Sequence, residues 1–219
     1  MRYKAFIFDL NGTIIDDMPF HTRAWHRILN EELGARLTAE EVSKEMYGKN
    51  EEVLDRIFGA GRFSDGEKKA ISVRKEQQYQ AAFLPHLQLI NGLDPFLAKA
   101  DERGIAMAIG TAAIPFNVDF VVDQLSVRKY FKAIITANDV TLSKPHPETF
   151  LKCAEALGIP PSECLVFEDV PKGAAAAQNA GMDTVIVTTG HQPAAFTHLN
   201  RILFYIRDFT DPVLNTLLD

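Results

Sequence analysis

Four places in the chain join an apolar run to a group that can do chemistry. Ala5 to Phe8 ends in Asp9, and Asn11, Gly12 and Thr13 follow at once. Ile105 to Ile109 leads into Gly110-Thr111-Ala112-Ala113. Ala133 to Thr136 leads through a polar loop to Ser143-Lys144-Pro145, and Cys164 to Phe167 ends in Glu168-Asp169. An apolar run closed by an acid and a turn residue reads as a buried strand that delivers the acid to the end of a sheet. Ligands of open α/β sheets bind beyond the carboxyl ends of the strands. Converging there, these groups make a site of several carboxylates and one lysine. Crowded carboxylates repel and need neutralising charge. Mg2+ supplies it, taking a few carboxylates, a carbonyl, waters and a phosphate. Lys144 would offset charge on the nucleophile and the phosphate, and Thr111 with the amides near it would donate to phosphate oxygens. An aspartate held beside a metal and a lysine can attack phosphorus and form an aspartyl phosphate.

The elements that must position these groups fall into two patterns. After Thr13 the strand pattern breaks. From Phe20 the spacing is helical, with Trp25, Ile28, Leu29 and Leu33 on one face and Gly34 as the stop. Thr38 with Glu41 and Ser64 with Glu67 are capping-box starts of two further helices. One ends near Gly48; the other runs through Phe83 and stops before Pro85. Another helix covers Glu51 to Phe58. Residues 16–84 therefore read as a four-helix insert without a strand. Beyond it strands and helices alternate, with helices closed by Gly104, Gly158 and Gly181 and strands at Thr184 to Thr188 and Ile202 to Ile206. A last helix carries Val213, Leu214, Leu217 and Leu218. Alternation of this kind predicts an α/β fold, a Rossmann-like doubly wound parallel sheet. Its core is residues 1–15 and 85–219, with the helical bundle inserted after the first strand.

Composition sets the outer bounds. The 219 residues are 47% hydrophobic with a net charge of −6. That suits a globular protein with a substantial core and gives no basic footprint for nucleic acid. Cys153 and Cys164 make no disulfide framework and read as small buried residues. No apolar run reaches membrane-spanning length, and Met1-Arg2-Tyr3-Lys4 has no apolar signal region. The expectation is a soluble, cytoplasmic protein that engages neither membrane nor nucleic acid, a monomer by default.

Taken together, Asp9-Leu10-Asn11-Gly12-Thr13, Thr111 after its strand, Lys144-Pro145, and Glu168-Asp169 with Gly173 resemble the four motifs of the haloacid dehalogenase superfamily. Ser143 to Phe150 and Val166 to Met182 resemble its beta-phosphoglucomutase-like subgroup, and the insert matches that subgroup's cap position. The resemblance implies that Asp9 is nucleophile and metal ligand. It implies further Mg2+ ligands in the Asn11 backbone carbonyl and Asp169, with Glu168 beside the metal. Thr111 and Lys144 would hold the phosphate. Gly12, Thr13 and the backbone at Ala112 are expected on the substrate side, as are His21 and Lys49 of the cap.

Two departures from that pattern bear on activity. Members acting on phosphate esters usually carry a second aspartate two residues after the nucleophile, as general acid and base. Here Asn11 stands there, and an amide cannot relay a proton near neutral pH. Losing general acid–base catalysis costs roughly 10²–10⁴ in rate. Asp16, Asp17 and His21 are nearby candidates to replace it. In the insert, Tyr47-Gly48-Lys49-Asn50-Glu51 keeps the glycine of a phosphate-gripping loop, but an acid falls near the expected arginine, which favours a phosphatase over a mutase. The reading is a phosphatase or phosphotransferase acting on a small phosphorylated metabolite such as a sugar phosphate. Its alternatives are a beta-phosphoglucomutase proper and a weakened phosphometabolite-binding protein.

Overall fold

A computed structural model describes residues 2–218. The chain divides into two compact units: residues up to Asp16 together with those from Gln88 onward, and Asp17–Leu87.

The first unit is a six-stranded sheet of β1 (Ala5–Phe8), β2 (Ala106–Gly110), β3 (Ala133–Ile135), β4 (Cys164–Glu168), β5 (Asp183–Val187) and β6 (Ile202–Ile206). Their order across the sheet is β3-β2-β1-β4-β5-β6, and every pairing is parallel. The doubly wound expectation holds. β1 is central, and alternation along it sends its residues to opposite faces. Phe6 and Phe8 join Phe96, Phe167 and Phe209 in one aromatic layer, with Phe8 stacked on Phe167 at 4.7 Å between ring centres. Ala5 and Ile7 pack on the other face with Phe150, Cys153, Ala176 and Ala177. All four belong to α7 (Glu148–Leu157) and α8 (Pro171–Asn179), which follow α5 (Leu93–Glu102) and α6 (Pro115–Gln124) along this unit. Small residues there let the helices lie close to the sheet. Both cysteines are buried and free. Burial pushes both thiols up, Cys164 to about 11, so neither is a ready nucleophile.

One element differs in kind from its expectation. The terminal helix is a short 3₁₀ segment, Pro212–Leu217, capped by Asp211 accepting from Val213 N. Six residues are too few for a stable α-helix, and burying Leu214 and Leu217 needs only the three-residue repeat.

The second unit contains α1 (Met18–Arg27), a π-turn at Ile28–Glu32, α2 (Ala39–Glu45), α3 (Asn50–Phe58) and α4 (Asp65–Phe83). Thr38 and Ser64 make the capping boxes that their spacing predicts. Trp25, Ile28, Leu29, Val42, Leu54 and Ile71 form its apolar core. Beside that core lies a buried polar one. Lys75 Nζ is 2.6 Å from His21 Nδ1 and 3.0 Å from Glu76 Oε1. Tyr79 donates to Asp17 Oδ2 at 2.5 Å, and His21 Nε2 is 3.1 Å from the same oxygen. Burial pulls the Lys75 pKa down against the pull of Glu76 and Asp17. Between that lowered value and the ordinary 10.5 the unfolded chain binds the proton that the folded one has lost. Stability of this unit is therefore expected to rise as pH climbs toward the ordinary lysine range. Lys75→Met should flatten the rise in chemical denaturation followed against pH. Tyr79 adds an opposite slope only above its ordinary 10.0, because burial and Asp17 raise its pKa.

Among the described residues, no helix is long and apolar enough to cross a membrane.

Candidate active site

β1 runs out at Phe8, and Asp9 N still donates to Phe167 O of β4, so the backbone stays in register while the side chain stands past the sheet. The chain then turns. Ile14 N donates to Leu10 O and Gly12 N to Ile15 O. Gly12 takes φ +78°, and a Cβ there would lie 2.1 Å from Asp169 Oδ2. The glycine is therefore required twice, by backbone conformation and by the carboxylate that occupies its side-chain space. Thr13, fully buried, donates to Asp169 Oδ1 at 3.5 Å. Thr189, past the end of β5, donates to Gly12 O at 2.7 Å.

Lys144 completes the centre. Its ammonium donates to Asp9 Oδ1 at 2.6 Å and to Glu168 Oε1 at 2.8 Å. Burial alone would depress its pKa, but the two carboxylates outweigh burial and hold the lysine above its ordinary value. It is a fixed cation across the physiological range. Glu168, expected beside the metal, is fully buried. Its Oε1 takes Lys144, and its Oε2 accepts from the Asp169 and Val170 amides. That arrangement braces the lysine and shapes the turn after β4. Gly173, in the first turn of α8, leaves room for this carboxylate, since a Cβ there would sit 1.7 Å from Glu168 Oε1. Gly173→Ala is expected to destabilise the protein by ~3 kcal/mol, because displacing Glu168 disturbs a buried ion pair. The denaturant midpoint measures it.

Thr111 is buried at the end of β2, and its Oγ1 accepts from Ala113 N at 3.0 Å. The bond orients the hydroxyl and leaves its proton available to donate. Ala112 lies between them in the same turn.

Asp9, Lys144 and Glu168 thus meet in one cluster, and Gly12, Thr13 and Asp169 in a second beside the same turn. His21 and Lys49 belong to the helical unit. His21 is buried, stacked on Tyr79 and held by Asp17 and Lys75. Lys49 starts α3, its amide donating to Glu52 Oε2 at 3.0 Å. Asp17, proposed from the sequence as a substitute acid, is fully buried under Tyr79 and His21. Lys75, Glu76 and Tyr79 were not singled out from the sequence, where α4 reads only as a long, charged helix. The signal was available: Ile71, Lys75 and Tyr79 recur every four residues, so the lysine shares the buried face of an isoleucine and a tyrosine.

Metal fit can be judged from the donors. Among the described residues, no three His, Cys, Asp or Glu side chains are gathered as a metal cluster. Mg2+ needs no such cage, since it is commonly held by one or two carboxylates with waters and phosphate oxygens. Asp9, Asp169 and a backbone carbonyl match that demand, and the glycine cradle at Gly12 keeps Asp169 against the turn.

A parallel doubly wound sheet whose central strand ends in aspartate, with a buried lysine and an acid pair from neighbouring loops, defines a class of hydrolase core. The family model of haloacid dehalogenase-like hydrolases matches residues 3–181, and the chain belongs to that family. Fructose-1-phosphate phosphatase YqaB of Escherichia coli is 31% identical over 186 residues, covering 85% of this chain and 97% of that protein. Beta-phosphoglucomutase of Bacillus subtilis is 30% identical over 194 residues, 85% of this chain and 84% of that one. The crystal structure of beta-phosphoglucomutase from Clostridium difficile superposes with a TM-score of 0.80 at 27% identity, covering 92% and 90% of the two chains. The chain is thus an enzyme of the beta-phosphoglucomutase-like group.

Proposed function

We propose that the protein is a Mg2+-dependent phosphatase of small phosphorylated metabolites, acting on a sugar phosphate through an aspartyl phosphate. The observation that carries this reading is the buried 2.6 Å pair of Asp9 Oδ1 and Lys144 Nζ at the carboxyl end of the central strand. An Asp9 oxygen attacks phosphorus in line, its bond to phosphorus forms, and the ester P–O bond breaks. The departing alkoxide takes a proton from solvent, because the Asn11 amide has none to give. Water then attacks the acyl phosphate, releasing inorganic phosphate and restoring Asp9. Lys144 balances charge on Asp9 and the phosphoryl group throughout, and Thr111 donates to a phosphoryl oxygen. Mg2+, held by Asp9, Asp169 and the Asn11 carbonyl, would draw charge from the phosphate oxygens. His21 and Lys49 are proposed as contributions of the helical unit to substrate selection.

The names of the relatives support a sugar phosphate, being phosphatases and a mutase of such compounds. Two features favour hydrolysis over transfer. The first turn of α3 is acidic, with Glu51 and Glu52. Arg56 of that helix is spent on Glu45 and Tyr47. Neither suits a second phosphate dianion.

Phosphate release with and without Mg2+, on a panel of sugar phosphates and an activated aryl phosphate, tests the reading. Metal-dependent release from the aryl ester is expected. No release from any ester, by this protein or by Asn11→Asp, would reject it.

A further inference from the structure

We propose that Glu148 is a positioning residue for Lys144, an inference that rests on the phosphatase reading above. Lys144 sits in the loop between β3 and α7, whose first half is packed through Ala137 and Val140 while the stretch after Val140 comes out to the surface. Leu142 is 50% exposed and Thr141 is exposed, yet two residues later the Lys144 side chain is buried and must meet two carboxylates. Apolar burial ends at Val140, so the path from Thr141 to Lys144 leans on hydrogen bonds.

Glu148, the first residue of α7, supplies them. Its carboxylate accepts from Thr141 N at 3.0 and 3.1 Å and from Leu142 N at 2.8 Å. Lys152, one turn further along α7, pairs with Glu148 Oε1 at 3.0 Å and also donates to Asp139 O. Asn179 of α8 holds the far side of the lysine, donating to Pro145 O at 3.0 Å. The backbone is thus tied just before and just after Lys144, and the tie at Thr141 and Leu142 depends on one negative charge. The two amides, then Lys152, hold the Glu148 carboxyl down at about 2, so the clamp stays charged across any working pH. A neutral amide at this position has one acceptor oxygen and presents N–H where an amide N–H already points. The loop would then relax, and Lys144 would lose its set distance to Asp9. A shift of about 1 Å in a reacting group is worth on the order of 10²-fold in rate.

The test uses Glu148→Gln, with Lys152→Met as the milder variant and Glu155→Gln, exposed on the same helix, as control. One readout is kcat and KM on the aryl phosphate with Mg2+. The other needs no turnover: acetylation of each lysine under single-hit conditions, resolved by peptide mass spectrometry. Glu148→Gln should lower kcat about 10–100-fold with little change in KM. It should label Lys144 several-fold faster while buried Lys75 stays protected. Lys152→Met should fall between, and the control should match the parent. Unchanged Lys144 labelling would overturn the proposal, as would equal gains at Lys75, which would mean general loosening. If neither the parent nor Asn11→Asp hydrolyses any ester, the phosphatase reading fails by itself, and labelling still decides whether Glu148 sets the lysine.

Discussion

Asp9→Asn is expected to reduce Mg2+-dependent hydrolysis of an activated aryl phosphate by about four to six orders of magnitude, as loss of a covalent nucleophile does elsewhere. The substitution keeps the volume of the side chain and leaves an oxygen that can still accept from Lys144, so the fold should survive. What disappears is the negative charge proposed to attack phosphorus. Lys144 then keeps one carboxylate partner, Glu168, instead of two. A modest loss of stability is expected, read from the denaturation midpoint, and it separates the chemical effect from unfolding. Rapid-quench trapping adds a direct check. The parent should carry acid-stable, hydroxylamine-labile phosphate on residue 9, and the variant none. Turnover within tenfold of the parent would mean that another group attacks phosphorus and that the Asp9–Lys144 pair is structural.

Asn11→Asp should move activity in the other direction. Sugar alkoxides are poor leaving groups, and the site as built has no acid at position 11 to protonate one. Installing a carboxylic acid there is expected to raise kcat/KM on sugar phosphates by about 10²–10⁴-fold. The gain on an aryl phosphate, whose phenolate leaves unaided, should be far smaller. The contrast between the two substrates is the diagnostic, since a change in metal affinity would shift both alike. The metal donor proposed at this position is the backbone carbonyl, which the substitution leaves in place. Equal gains on both esters would place the defect elsewhere. No gain on either would mean that another proton donor already serves, and the structure narrows that choice. Asp17 lies fully buried, committed to Tyr79 and His21. His21 has one ring nitrogen against Asp17 and the other against Lys75. Asp16 is exposed.

Much of the site is legible along the chain because it is made of strand ends. A parallel strand buried on both faces is a short apolar run, and the residue closing it must stand at the sheet edge. That logic puts Asp9, Thr111 and Glu168-Asp169 at one edge from residue type alone, and the loop after β3 adds Lys144. Capping boxes at Thr38 and Ser64 and stops at Gly104 and Gly158 are equally local, so helix starts and ends follow within a few residues. The terminal segment departs from its expected helix because Leu214 and Leu217 satisfy a helical and a 3₁₀ repeat alike. Length and Pro212 decide between them.

Order across the sheet, and the direction in which each carboxylate points, are long-range properties. Glu168 and Asp169 are neighbours in sequence with opposite duties: one turns inward to Lys144 and two backbone amides, the other fills the space left by Gly12. Residue type does not separate them, because Lys144 lies more than twenty residues from Glu168, and Thr13 more than one hundred and fifty from Asp169. The same holds for Glu148, which in sequence is only an acid in a first helical turn. It becomes a clamp because the loop folds back to offer it two amides. In the helical unit, α4 is rich in charge, and packing against α1 buries its Lys75 and Glu76 beside His21. Sequence periodicity by itself determined which elements form and which chemical groups reach the edge of the sheet. Tertiary structure alone decided which of those groups share protons, charge and space, because that depends on contacts between segments that no local spacing encodes.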